Sequence, residues 1–299
     1  MPETPLRSVT VRVPATSANL GPGFDTLGLA FALYNTFTFA PAEHTEVIGC
    51  EPRFSGEDNL TLVAFRAACE LAGVAPVPVR LTVKADVPVS RGLGSSATLL
   101  VGGVVGARAL LSLPLSDTDL FELVNRMEGH PDNVAPALFG GLTAAMQQDG
   151  KPYVASLPLH PSYRFCAFIP DFETTTKDAR AVLPDTVSFA DAVFNVTHAA
   201  TLVPALTSGD RALLRVALDD RLHQPYRKRL IHEMDAVREG AIAAGADAFF
   251  ISGSGSTLIA VYTDDAFVDR VRPAVEALTH AWRVLPLLPD TEGARLVEG

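Results

Sequence analysis

The stretch Val87–Leu111, VPVSRGLGSSATLLVGGVVGARALL, decides how the chain reads. A glycine- and serine-rich turn runs directly into apolar residues at helical spacing, which predicts a helix over Ser95–Leu111. Phosphate-binding loops have this form, but the nucleotide loop of the Walker type requires a lysine after its last glycine. The lysines are Lys84, Lys151, Lys177 and Lys228; only Lys151 follows a glycine, and it lacks the rest of the pattern. Gly92-Leu-Gly94-Ser-Ser-Ala97 also fits the loose dinucleotide form G-x-G-x-x-A, yet the residues 20 positions on, SLPLSDTDLF, open another helix instead of ending a strand. Both nucleotide motifs are thereby set aside. What is left is a loop feeding a helix N-terminus, where unpaired N–H groups and the helix dipole hold phosphate without a lysine, and where Ser95 and Ser96 supply hydroxyls. Gly102, Gly103 and Gly106 weaken the helix that follows, so they predict very close packing on a sheet.

Outward from this loop, strands are expected at Ser8–Val13, Leu29–Phe39, Val77–Val83, Arg164–Ile169, Ala248–Ile251 and Thr257–Tyr262. Helices are expected at Asn59–Leu71, Ser116–Met127, Phe189–Leu206, Arg211–Leu218, Lys228–Ala244 and Asp265–Leu278. Pro14–Gly28, rich in turn formers, reads as a long loop. Strands and helices mix without strict alternation, which predicts an α+β fold. The polar, proline-bearing segment Gln147–Ser162 marks a soft boundary between domains 1–155 and 156–299.

Composition narrows the function classes. The chain has 299 residues, 48% hydrophobic and 19% charged, which supports a sizeable core and argues against disorder. A net charge of -10 disfavours nonspecific binding to nucleic acid or anionic membranes. Cys50, Cys69 and Cys166 are odd in number and widely spaced, so they read as free thiols of a reducing compartment. The N-terminus carries no apolar run of signal length, and no uninterrupted apolar stretch reaches membrane-spanning length. A cytoplasmic protein is expected.

Two further small-polar loops, PATSANLGPGFD at Pro14–Asp25 and SGSGS at Ser252–Ser256, lie far from the first in sequence. Together, in this order, the three resemble the motifs of the small-molecule kinase superfamily named for galactokinase, homoserine kinase, mevalonate kinase and phosphomevalonate kinase. Ser256 departs from the pattern, standing where members commonly carry proline. Four segments are similar to the homoserine kinase branch: Pro14–Ala30, Glu128–Pro136 with Phe139-Gly-Gly, Thr174–Arg180 with Leu183-Pro184, and His223–Arg227.

The resemblance implies two α+β domains. The first has the ribosomal-protein-S5 domain 2-like fold with a left-handed crossover, and the second is ferredoxin-like. It also implies transfer of the γ-phosphoryl of ATP to the hydroxyl of L-homoserine, with Mg²⁺, in threonine biosynthesis. Pro88, Ser90, Arg91, Gly92, Leu93, Gly94, Ser95, Ser96 and Ala97 would hold the nucleotide. Glu128 would hold the metal with Ser96 or Ser95. Asn19, Asp25, His130, Asp132, Asn133, Thr176, Arg180 and Arg227 would line the substrate site, with Asp25, Glu128 and His130 nearest the chemistry. Arginine suits the planar carboxylate of the acceptor, and an acidic or amide group suits its ammonium. His44, His160, His198, His232 and His280 are expected to be structural. A homodimer is expected from the resemblance alone. A related kinase acting on another alcohol such as mevalonate, or an inactive metabolite sensor, remain the alternatives.

Overall fold

The computed structural model describes residues 8–298. Residues 1–7, which the reading of the N-terminus partly concerns, lie outside this range. In chain order the strands are β1 (Val9–Ala18), β2 (Leu27–Pro41), β3 (Glu46–Ile48), β4 (Val79–Ala85), β5 (Leu142–Gln148), β6 (Lys151–Leu157), β7 (Arg164–Pro170), β8 (Ala248–Ile251), β9 (Leu258–Tyr262), β10 (Trp282–Leu287) and β11 (Arg295–Val297). The helices are α1 (Leu60–Leu71), α2 (Ser95–Leu111), α3 (Asp117–Glu128), α4 (Pro131–Phe139), α5 (Thr176–Ala181), α6 (Phe189–Ser208), α7 (Arg211–Ala217), α8 (Gln224–Arg227), α9 (Met234–Ala243) and α10 (Phe267–Glu276).

The first sheet has seven strands, in the order β11-β1-β2-β4-β3 with β5 and β6 added beside β2. Its inward residues Val11, Val13, Phe37, Phe39, Leu81 and Val83 alternate with polar outward ones, and α1 to α4 cover that inward face. Helix α2 lies closest. A Cβ at Gly102 would stand 2.4 Å from the Phe37 ring, and one at Gly106 2.2 Å from the Phe39 ring. The glycines thus let the helix axis approach the sheet, as the sequence predicts.

The second sheet is antiparallel, in the order β10-β7-β9-β8, which is the 4-1-3-2 order of a ferredoxin-like unit. Strict alternation divides it. Phe165, Ala167, Ile259 and Val261 face a core shared with α6, α7 and Leu27, Leu29 and Phe31 of β2. Cys166, Phe168, Leu258 and Ala260 face α9 and α10. Among the described residues α6 is long and apolar enough to cross a membrane; it packs Leu202, Ala205 and Leu206 against this core.

Two sequence expectations need correction. Pro14–Gly28 is not one long loop: β1 continues to Ala18, pairing Thr16 with Ala30 and Ala18 with Gly28. The turn-forming composition misleads because Ala15, Thr16, Ser17 and Ala18 are small for a different reason, being fully buried beside the site. Pro14 lacks the ladder donor, and the register shifts there, bending the strand pair. Nor is Lys228–Ala244 one helix. A short 3-10 turn ends at Leu230, and α9 restarts after Glu233 at φ +58. The Glu233 carboxylate accepts from the N–H groups of Thr279 and His280 and from Trp282 Nε1. That tie holds the break, and these bonds keep the carboxyl down at about 2. β3, β5, β6, β10, β11, α4, α5 and α8 lie outside the strand and helix expectations, being short or carrying little period.

Candidate active site

The three small-polar loops meet. Thr16 N–H donates to Leu93 O at 3.1 Å, Thr257 N–H to Arg91 O at 3.1 Å, and Gly253 N–H to Ala18 O at 3.2 Å. Buried Ser252 Oγ lies 2.6 Å from Gly92 O and 2.7 Å from Ser17 Oγ. The glycines are required by these crossings. A Cβ on Gly92 would stand 2.2 Å from Ser252 O, and one on Gly94 1.9 Å from Thr16 Oγ1, and both residues have positive φ.

Gly94 caps α2 with no side-chain hydrogen bond, so the first N–H groups of the helix are left for a ligand. Ser96 Oγ donates to Glu128 Oε2 at 2.6 Å, whereas Ser95 O accepts from Thr98. Of the two serines, Ser96 is therefore the one joined to Glu128. Arg91 lines the cavity and is held by the protein. Its guanidinium donates to the carbonyls of Pro170, Asp171 and Val89 and pairs with Glu173. Leu93 and Ala97 are fully buried in the core, so their side chains pack and only their backbone faces the loop; Pro88 is half-buried and does not line the cavity.

The cavity over this loop has a volume of about 490 Å³, a common size for a small-molecule site. Ser90, Ser95, Ser96 and Glu128 line its middle, and Asn19, Asp25, His130, Asp132, Asn133, Thr176, Arg180 and Arg227 its inner end. Arg53, Phe54, Asp58, Asn59, Leu60, Val83 and Leu99 also line the cavity. Sequence gives none of these a place in the site: Leu60, Val83 and Leu99 read as apolar positions of a helix or strand, and Asn59 as a helix cap.

At the inner end, a run of left-handed residues, Asn19, Leu20 and Gly21, turns the chain after β1. Asn19 is buried and holds that turn: Nδ2 donates to Gly253 O at 3.0 Å, and Oδ1 accepts from Asp25 N–H at 3.0 Å. Gly253 O also accepts from Arg227 Nη1 at 2.8 Å, so one carbonyl joins all these parts. Arg227 further donates to Ala179 O and meets His223 Nδ1 at 3.3 Å. Burial, then the charge of Arg180, lowers the Arg227 pKa to about 10, which leaves it cationic at neutral pH. His223 sits beneath it, fully buried, with Nε2–H donating to Gly21 O at 2.8 Å. Burial lowers its pKa, against the charge of Asp220 at 3.6 Å. Phe24 stacks on His223 and carries Arg227 and Arg180 over its ring at 5.1 and 5.5 Å. Sequence alone gives Phe24 and His223 no role in the site, since neither carries a group that its neighbours along the chain would put to use.

Across the cavity, His130 caps α4 and bonds through Nδ1 to the buried carboxylate of Asp132 at 2.7 Å. Burial opposes charge on His130, but the Asp132 bond and the charges of Asp132, Glu128 and Asp25 outweigh it and raise its pKa. Asn133 Oδ1 accepts from Thr16 Oγ1 at 2.7 Å, tying α4 to β1. Asp25, at φ +53, pairs with Arg180 at 2.8 Å. Thr176 is exposed at the start of α5.

A helix N-terminus with free N–H groups, an acid–hydroxyl pair beside it and a cluster of arginines and carboxylates are features that fit a phosphotransferase. The models for the GHMP kinase N-terminal and C-terminal domains match residues 59–141 and 202–280. The homoserine kinase of Clostridium beijerinckii is 41% identical over 97% of this chain and 99% of that protein. That of Crocosphaera subtropica is 41% identical over 95% of this chain and 94% of its own. The crystal structure of homoserine kinase from Cytophaga hutchinsonii superposes with a TM-score of 0.89 at 27% identity, covering 97% of both chains. The chain belongs to the GHMP kinase family. Within that family it falls in the homoserine kinase branch.

Proposed function

We propose that this site transfers the γ-phosphoryl group of ATP to the side-chain hydroxyl of L-homoserine, giving O-phospho-L-homoserine and ADP in threonine biosynthesis. The observation that carries the reading is the pairing of Asp25 with Arg180 beside buried Arg227. Asp25 with the two arginines, beside the phosphate cradle, matches an amino acid with a carboxylate and an ammonium. Arg227, fixed by Gly253 O and Ala179 O, orients the carboxylate together with Arg180. Asp25 receives the ammonium, and His130 with Asp132 closes that side. The amides at the start of α2 hold the phosphates, and the part of the cavity lined by Phe54, Leu60 and Leu99 receives the adenine.

Ser96 and Glu128 offer the hard oxygen donors that Mg²⁺ requires, and they already touch. The ion would neutralise phosphate charge there. Positioning and charge neutralisation supply most of the rate in such transfers. Asp25 is given to the ammonium, and His130 is held by Asp132, so the reading assigns no dedicated base.

The test is ADP release from Mg-ATP with L-homoserine, L-threonine, L-serine, mevalonate and galactose. Turnover with L-homoserine alone is expected. Preferential turnover of mevalonate would move the assignment to another branch of the family, and no turnover despite ATP binding would favour a sensor.

A further inference from the structure

Arg91 belongs to the phosphate loop by sequence, but its guanidinium holds a different segment. Nε donates to Pro170 O at 3.0 Å, Nη2 to Asp171 O at 3.1 Å and Nη1 to Val89 O at 3.2 Å. Nη1 also lies 3.3 Å from the Glu173 carboxylate, and the side chain is only 16% exposed. Backbone and hydroxyl bonds repeat the tie: Thr174 N–H donates to Ser90 O at 3.2 Å, and Ser256 Oγ to Phe172 O at 2.8 Å. Residues 170–174 are thereby seated on the glycine loops. They lead from the end of β7 into α5, whose first turn Thr175 caps by accepting from Asp178 N–H at 3.0 Å. Helix α5 carries Arg180, and its Ala179 O accepts from Arg227 Nε at 3.2 Å. The segment also faces the cavity directly, because buried Thr174 lines it and Thr174 Oγ1 has no partner among the described residues. Just past α5, Arg229 Nη2 donates to Val182 O at 3.0 Å. The trailing end of α5 thus has its own supports, and the leading end rests on the phosphate loop.

We propose that Arg91 is a positioning residue for the acceptor, acting through residues 170–174 and α5, and that its loss weakens acceptor binding with little effect on ATP. The proposal rests on the reading of the site above, in which Arg180 and Arg227 serve the acceptor. The shape of the side chain matters. A planar guanidinium reaches carbonyls of two chain segments at once, whereas a lysine ammonium keeps the charge but is a single point on a flexible stem. Without the fork, Pro170 O and Asp171 O lose this donor, and the approach to α5 is left to the Thr174 and Ser256 bonds. Thr174 and Arg180 are then less well aimed, and small errors of placement are costly in a site that works by positioning. The loop itself is held by other means. Thr16 N–H to Leu93 O, Thr257 N–H to Arg91 O and Ser252 Oγ to Gly92 O all use backbone atoms of the loop, which a substitution at position 91 leaves in place. The free N–H groups at the start of α2 therefore keep their aim.

The measurement is steady-state KM for L-homoserine at saturating Mg-ATP, and for ATP at saturating L-homoserine, in wild type, Arg91→Gln and Arg91→Lys. Both variants are expected to raise KM for L-homoserine about 5- to 10-fold, the scale of one net hydrogen bond, and to leave KM for ATP within about twofold. A rise confined to KM for ATP, above all one that Arg91→Lys restores, would mean that the charge acts on the nucleotide, and the proposal would be wrong. Rescue of the L-homoserine KM by Arg91→Lys would likewise place the effect in the charge and discard the fork. A parallel rise in both KM values would report a general loosening of the structure, and no rise in either would show that the tie is idle; both overturn the proposal. Lysine keeps charge and much of the length, so Arg91→Lys keeps the test open if Arg91→Gln fails to fold. Turnover by wild type across the panel of acceptors tests the underlying reading separately. If wild type prefers another acceptor, the same split is read in that acceptor's KM, so the two can fail independently.

Discussion

His223 shows how a residue can serve the site without entering it. It is fully buried, donates through Nε2 to Gly21 O, and presents an unprotonated Nδ1 to Arg227. Protonation would set two cations against each other, and burial already lowers its pKa below that of a free imidazole. The unfolded chain takes up that proton near pH 6.5 and the folded chain only at lower pH. The contribution of His223 to stability is therefore complete above pH 6.5 and is lost as pH falls below it, by up to about 1.4 kcal/mol per pH unit. His130 acts in the opposite sense, because its pKa is raised: its contribution is complete below pH 6.5 and fades as pH rises through the folded value. The two are separated by comparing wild type with His223→Gln in urea unfolding at pH 7.5, 6.5 and 5.5. The variant should lose less stability on acidification than wild type. Parallel curves would show that His223 is not held neutral by the fold.

Among the elements, α2 and α9 make opposite use of glycine. A Cβ on Gly103 would stand 2.3 Å from the backbone oxygen of Thr61, which cannot turn aside. A Cβ on Gly240 would meet only the Ala274 Cβ, at 3.4 Å. Alanine is the better helix former by about 1 kcal/mol, so Gly240→Ala should stabilise by roughly that amount. Gly103→Ala should destabilise by about 1–3 kcal/mol, because overpacking against α1 outweighs propensity. Thermal unfolding of both variants decides it, and a stabilised Gly103→Ala would mean that α1 and α2 can separate at little cost. The consequence reaches the site, since α2 carries the phosphate cradle at its N-terminus.

For the whole molecule, the chain's end completes its beginning. Asp290 is buried, accepts from Tyr34 Oη, from the N–H groups of Glu292 and Gly293 and from Arg295 Nη1, and leads into β11 beside β1. Asp290→Ala should cost about 2–3 kcal/mol, because these donors are left without a buried partner. Asp290 does not line the cavity, so KM and kcat well below the melting temperature should stay within about twofold, as steady-state assays can check.

Much of this was legible in the sequence. The bounds of α2 follow from local chemistry, which acts within a few residues. The three glycine loops were visible because backbone that must approach other backbone restricts composition. Only tertiary structure decided that Thr16–Ala18 is strand, that Glu233 interrupts a helical run, and that Arg91 is engaged by carbonyls. It also decided that Phe24 and His223 support the arginines and that Asp25 meets Arg180. These outcomes depend on partners far apart in the chain, such as Asn19 and Gly253, which bond across 234 positions. Local propensity carries no information about such partners, and the cavity exists only where they converge.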